Sequence, residues 1–317
     1  MKKTVIVSGS LAYDRIMDFP GYFSHHILPE KIHVLNICFQ VNGLREKFGG
    51  TAGNIAYSLS LLGVSSFISA SLGGRDCEPY FLWLEKNGIS HDHIRIIEDE
   101  FTASAYITTD MADNQITGFH PGAMKYTSGL DFDELKPEET LCIVSPGNLD
   151  DMVNYPRLCK ERGIEYIFDP GQSLPMLDGN DLIEAVSGCS ILISNDYELD
   201  LIVSKTGLAR ESLIERSGAL ITTLGDLGSK VHTADGEIDI PLVKAKQVLD
   251  PTGAGDSYRG GLLTGLIQGL DIERCALMGS VCASFAVESY GTQEYRFSAD
   301  EFSERLKCAC KGGPSRF

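Results

Sequence analysis

Short apolar runs that alternate with helical patterns constrain this chain more than any other feature. The runs occupy 4–8, 66–70, 140–145, 166–168, 190–194 and 219–223, and segments with helical spacing fill the gaps. Over 51–62, Ala52, Ile55, Ala56, Leu59 and Leu62 share one face, and Gly63 supplies a stop signal. Further helices are expected over 79–87, 151–162, 195–205 and 257–268. Strands separated by helices predict a mostly parallel sheet covered on both faces, an α/β fold of three layers. In such folds ligands bind beyond the C-terminal ends of the strands. The 317 residues, 43% of them hydrophobic, suffice for one large domain of this kind.

Two segments break the rhythm. Residues 16–48 are too many for an ordinary connection between the first strand and the first helix. Residues 101–118 hold an alternating run, a turn signal at 110–114 and a second short run, the pattern of a hairpin. Both are expected over the site, as a small β-rich lid inserted in a single domain spanning 1–317. The exposed edge of such a lid would invite pairing into a homodimer. The tail 311–317 is expected to fray.

The formal net charge of -17 argues against nucleic acid or an anionic membrane as main partner. It leaves an anionic substrate open, because a local anion hole can override the global field. The nine cysteines are odd in number and mostly sit in apolar runs, as Cys142 and Cys189 do, so they read as buried thiols of a reducing compartment. Cys308 and Cys310 lack the second pair that a metal site needs. The apolar run at 5–7 is too short for a signal-peptide core, and no stretch approaches ~18 uninterrupted apolar residues. A cytoplasmic protein is the expectation.

The chemistry concentrates in Asp250-Pro251-Thr252-Gly253-Ala254-Gly255-Asp256. A β-like run over 243–249 enters this turn, and a helix follows it. Amides at a helix N-terminus lack intrahelical partners and face an anion with the positive end of the dipole. A carboxylate there repels an anion, but it makes sense as a base that deprotonates a nucleophile attacking the anion. Asp256 could equally cap the helix. Gly253 and Gly255 favour the base, because a simple cap does not need two residues that permit close backbone approach. The turn is no Walker A loop, and Tyr258 occupies the third glycine position of a dinucleotide fingerprint.

Three further blocks carry polar groups. Gly49-Gly50-Thr51-Ala52-Gly53-Asn54 opens the helix at 51–62, and Asn54 offers a donor and an acceptor. Asp14, read as closing the first strand, could accept both hydroxyl protons of a vicinal diol. Asn195 and Glu198 fall one turn apart on one face; they could hold Mg²⁺ directly or through water, or simply form a capped acidic first turn. Thr223, Gly225 and Gly228 punctuate the end of a strand, either as a hairpin or as a wall of a nucleotide pocket.

In this order and spacing the blocks resemble the ribokinase-like (PfkB) family of carbohydrate and nucleoside kinases, over nearly the whole chain. The resemblance implies a ribokinase-like fold with a lid, and a kinase that uses ATP and Mg²⁺. It implies that Asp256 is the general base and that the amides of Gly253, Ala254 and Gly255 hold the transferred phosphoryl. Asn195 and Glu198 would support Mg²⁺ and phosphates, with Glu198 acting through water. Thr223, Gly225 and Gly228 would lie along the ATP site, and Thr252 is counted with them. Asp14, Gly50 and Asn54 match the acceptor-binding positions. Pro251 departs from the family's usual Asp-Thr-x-Gly-Ala-Gly-Asp, so that Thr252 directly abuts the anion hole. Relatives often respond to K⁺, and the loops at Asp250 and Gly291 would be the place for it.

Other stretches are similar to the bacterial and archaeal adenosine or nucleoside kinases: Phe19-Pro20-Gly21, Ile27-Leu28-Pro29, His120 to Met124, Asp169-Pro170-Gly171-Gln172 and Gly291-Thr292-Gln293. This branch implies phosphorylation of the 5′-hydroxyl of adenosine or a related nucleoside, the activity of purine salvage. Phe119 and Met124, with Phe19 and Phe39, are candidates to line the base pocket. The alternatives are a sugar kinase acting on ribose, fructose or a related compound, and a catalytically silent nucleotide-binding regulator. An oxidoreductase is disfavoured by the missing fingerprint.

Overall fold

The computed structural model describes residues 3–27, 33–34 and 36–312. Leu28 and Pro29 of the stretch at 27–29, and 313–317 of the tail, lie outside them.

The apolar runs become the core of a nine-stranded sheet. Its strands are β1 (Thr4–Ser8), β4 (Ser66–Gly73), β5 (Ile94–Ile97), β8 (Thr140–Val144), β9 (Glu165–Phe168), β10 (Ile191–Asn195), β11 (Leu220–Thr223), β12 (Ser229–Thr233) and β13 (Gly236–Ile240), in the order β13-β12-β11-β10-β9-β8-β1-β4-β5. All neighbours from β11 to β5 are parallel, and β12 and β13 add an antiparallel edge. Because side chains alternate along a strand, each strand feeds two cores. Val5, Val7, Ile143 and Ile193 pack on one side with α1 (Thr51–Leu61), α2 (Glu78–Lys86), α7 (Ala254–Ile267) and α8 (Ile272–Ala286). Ile6, Cys142, Val144 and Leu192 pack on the other with α3 (Leu149–Arg162), α4 (Gly179–Val186) and α5 (Asp196–Thr206). Helices α6 (Arg210–Arg216) and α9 (Ala299–Gly312) complete the set. The three layers expected from the sequence are present. Among the described residues no helix is long and apolar enough to cross a membrane. Cys142, Cys159, Cys189, Cys275 and Cys282 are buried, whereas Cys38, Cys308 and Cys310 are exposed.

A second, four-stranded sheet runs β3-β2-β6-β7, from β2 (Ala12–Asp18), β3 (Leu44–Gly49), β6 (Ala103–Thr109) and β7 (Gln115–His120). The hairpin at 101–118 is thus β6 and β7, while the excursion at 16–48 starts earlier, at Ala12. Asp14 therefore does not close the first strand: β1 ends at Ser8, and Asp14 is the third residue of β2, opposite Lys47 of β3. A polar, largely exposed strand such as β3 gives little period-2 signal, which is why only the hairpin was legible. Phe19, Phe23 and Phe39 form a cluster just past the end of β2, Phe19 and Phe39 lying 4.7 Å apart and Phe19 stacked on Phe23 at 5.6 Å.

Candidate active site

The run at 243–249 is not a strand. It is an irregular segment beside the C-terminus of α8, tied by the Leu249 amide to the Val287 carbonyl at 2.8 Å. Its apolar residues are partly bare, Val248 being 70% exposed, because they wall a cleft instead of packing on a sheet. That cleft holds about 340 Å³ and is lined by Val243, Val248, Ala283, Val287 and Tyr258 with Thr223, Gly225 and Gly228. Gly225 opens the tight link between β11 and β12, which pair antiparallel, so hairpin and pocket wall coincide. A polar cleft of about 350 Å³ shares Thr223, Gly225 and Gly255 with it, and adds Asp169, Asn195, Glu198, Gly253, Asp256 and Arg259. An apolar slot that opens into a polar one suits a ligand with a flat base at one end and phosphates at the other.

Helix α7 begins at Ala254, three residues before the expected start, and is buried from Ser257 to Gly265. Gly253 is its N-cap, at φ 77°, and a Cβ there would strike Thr292 at 2.8 Å. Asp256 is therefore not the cap but sits inside the first turn. The Ala254 amide turns back to the Pro251 carbonyl at 3.2 Å, and the first helical bond runs from the Ser257 amide to the Gly253 carbonyl. This leaves the amides of Gly253, Gly255 and Asp256 without a backbone partner. Thr252 is exposed, its amide bound by Asp250 Oδ1 at 2.9 Å, and it lines neither cleft. Asp250 Oδ2 accepts from the Gly291 amide at 3.0 Å, tying the two loops together.

Asp256 is enclosed by protein except toward the polar cleft. Burial pushes its carboxyl up to about 6; Asn54 and Arg259 pull the other way, and Asp169 and Glu198 add to the rise. Asn54 Nδ2 donates to Asp256 Oδ2 at 2.7 Å. Gly50, at φ 89°, lets the start of α1 press on the Ser10 carbonyl, which brings Asn54 beneath α7. Asp14 lies over Gly49, near Asp250, and burial pushes it up to about 6 as well. Asn195 and Glu198 form a reciprocal capping box on α5: the Glu198 amide donates to Asn195 Oδ1 at 2.7 Å, and the Asn195 amide to Glu198 Oε2 at 2.8 Å. The capped acidic first turn is thus present, and both residues also face the polar cleft.

Not every candidate comes to the site. Phe119 is 53% exposed on β7, and Met124 sits in a short turn whose carbonyl accepts from Asn148 Nδ2 at 3.0 Å. Neither lines the two clefts, and Phe19 and Phe39 pack on each other in the cluster past β2. Two residues were missed. Arg259 and Asp169, both buried, form a bidentate ion pair under Asp256, with Arg259 Nη2 donating to Asp169 Oδ1 at 2.8 Å and Nε donating to Oδ2. Arg259 Nη1 also donates to the Gly255 carbonyl at 3.0 Å. An arginine three residues after Asp256 on a buried helix was the available signal, because a buried charge needs a partner.

Residues 25–297 match the pfkB family carbohydrate kinase. The nucleoside kinase of Methanocaldococcus jannaschii is 35% identical over 280 residues, 88% of this chain and 91% of that protein. The solved structure of Burkholderia thailandensis nucleoside kinase in complex with inosine is similar at a TM-score of 0.86 and 38% identity, covering 98% of this chain and 100% of that one. The same kinase in complex with ADP-inosine gives 0.84 and 39%, covering 99% and 98%.

Proposed function

Because the chain belongs to the pfkB family of carbohydrate kinases, phosphotransferases with an alcohol acceptor, we propose that it transfers the γ-phosphoryl of MgATP to the 5′-hydroxyl of adenosine or a related nucleoside. The observation that carries this reading is the place of Asp256: a proton-hungry carboxylate at a helix N-terminus with free amides, where an apolar and a polar cleft meet. The nucleoside kinases at 35–39% identity support a nucleoside as acceptor.

Asp256 takes the proton of the hydroxyl, whose oxygen attacks the γ-phosphorus. The bond from that phosphorus to the β–γ bridging oxygen breaks, and ADP leaves. Amides at the start of α7 hold the charge on the moving phosphoryl. Asp14 accepts from the acceptor's hydroxyls, and the apolar cleft takes the adenine of ATP. The small sheet serves as a lid that excludes water, which would otherwise compete as acceptor.

Among the described residues no group of three or more His, Cys, Asp or Glu could hold a metal ion. The polar cleft offers Glu198, one of whose oxygens is in the cap, and Asn195 beside it. This donor set fits Mg²⁺ arriving on its phosphates and keeping several waters, with Glu198 reaching it through water. When bound, the ion would neutralise charge on the β- and γ-phosphate oxygens.

An ADP-release panel of adenosine, inosine, cytidine, ribose and fructose 6-phosphate tests the acceptor. The nucleosides should exceed the sugars in kcat/KM; preference for ribose or fructose 6-phosphate would make the chain a sugar kinase, and no turnover on any acceptor a silent regulator. The same assay carries a pH prediction. Asp256 and Asp14 both act ionised and both are held up at about 6. As pH falls through 6 each takes up a proton, so kcat/KM should fall, with a limb steeper than one titrating group gives. In kcat the limb should relax toward first order, because bound acceptor covers Asp14. Activity level down to pH 4.5 would exclude both roles.

A further inference from the structure

Asn54 can help Asp256 only if its carboxamide presents nitrogen, not oxygen, to the carboxylate. Two buried amides and one indole decide which. Trp83, on α2, donates from Nε1 to Gln293 Oε1 at 2.8 Å. Indole nitrogen can only donate, so it fixes which end of the Gln293 amide faces it. Gln293, 1% exposed, then points Nε2 inward, where it donates to Asn54 Oδ1 at 3.0 Å and to the Tyr80 hydroxyl at 3.1 Å. Tyr80 can accept because its own proton goes to the Gly49 carbonyl at 2.7 Å. With its oxygen held by Gln293, Asn54 is left with Nδ2 toward Asp256 Oδ2.

Reversing either amide meets like groups. A turned Gln293 would set NH₂ against the indole N–H and oxygen against Asn54 Oδ1. A turned Asn54 would set its oxygen against the carboxylate of Asp256. Asn54 and Gln293 are both buried, so neither mismatch finds a ready substitute partner. The segment bearing Gln293 is pinned on both sides. Thr292 Oγ1 donates to the Phe48 carbonyl at 3.1 Å, Lys47 pairs with Glu294 at 2.8 Å, and Phe48 stacks on Trp83 at 4.9 Å. Asn54 keeps one N–H and one lone pair, so the relay leaves it free to touch an acceptor hydroxyl.

We infer that Trp83 and Gln293 are positioning residues, a relay that fixes the donor face of Asn54 on Asp256 and so holds the base ionised and aimed. This rests on the reading of Asp256 as the base. The groups that face Asp256 are Arg259 on its own helix, Asp169 after β9, Glu198 on α5, Asn54 on α1 and the Tyr295 phenol. None of their charges changes in the variants below.

The test is the pH profile of kcat in the full chain, for Trp83→Phe, Gln293→Met and Tyr80→Phe. Trp83→Phe keeps a ring on Phe48 and removes the N–H together with the smaller ring of the indole. Gln293→Met removes both ends of the relay at similar volume. Tyr80→Phe deletes a buried hydroxyl next to the relay but leaves its polarity set. The first two should lower kcat roughly tenfold at pH 6–7 and move the acid limb up by about one pH unit, as expected when an ionised carboxylate loses a donor. KM for ATP should stay within about twofold, and Tyr80→Phe should leave the limb where it was. A limb that coincides with the parent's in Trp83→Phe and Gln293→Met overturns the relay, and so does an equal shift in all three. Near-normal turnover in Asp256→Asn would instead fail the base reading on which the relay rests.

Discussion

Asp256→Asn is expected to lower kcat by about 10²–10⁴ while both KM values change only a few-fold. Asparagine has the same shape and can still accept from Asn54 Nδ2, so the local packing survives. It has no basicity near neutral pH, so the acceptor hydroxyl must lose its proton unaided. The variant should not be less stable. The folded carboxyl is held up at about 6, against ~3.9 in an unfolded chain. The fold therefore prefers the protonated form, and stability is gained as pH falls from 6 toward 4 and is missing at pH 7. A neutral amide removes that cost at pH 7. Thermal melts at pH 7 should place Asp256→Asn level with the parent or above it. Low turnover with an undiminished melting temperature assigns the loss to chemistry, and near-normal turnover would remove Asp256 from the mechanism.

The same carboxylate shows what was legible in the sequence. The strand–helix alternation carried the main sheet, because strands buried on both faces read as continuous apolar runs. The turn before α7 marked Asp256, because a plain helix cap needs neither of the two glycines that flank Ala254 there. Residues 243–249 misled, since an apolar run that walls a cleft has the composition of one that fills a sheet. Only the hydrogen-bond accounting separates them, Leu249 pairing with Val287 and not with a strand. Asp14 was assigned to the wrong strand, since β2 follows β1 after three residues and nothing in its composition marks the change of sheet. Phe19, Phe39, Phe119 and Met124 share a different failing. Aromatic or apolar character says that a residue seeks burial or a partner, but not which one. The relay from Trp83 was out of reach, because it joins residues 83, 293, 54 and 256 through orientations that spacing does not encode.

The ion pair under Asp256 left one signal in the sequence, an arginine three residues further on, and its loss should be felt most in stability. Arg259→Leu is expected to destabilise the fold by about 3–5 kcal/mol, the cost of leaving one member of a buried pair alone. Asp169 would then sit buried beside Asp256 and Glu198 with no cation among them, in a site already crowded with acid. Asp256 is already held up at about 6 and prefers its proton in the fold, so the defect should be largest at neutral pH and shrink as pH falls below 6. Asp256 would lose the cation that opposes its rise, so any remaining activity should show its acid limb at higher pH than the parent. Adding Asp169→Leu to Arg259→Leu should recover most of the lost stability, because two apolar side chains can fill the space of a buried ion pair at little net cost. It should not recover turnover, since Asp256 still lacks its cation and the Gly255 carbonyl its donor. Urea unfolding of the two variants at pH 7 and 5 separates these outcomes. A single variant within about 1 kcal/mol of the parent would mean that the pair is reached by solvent and does not hold the base in place.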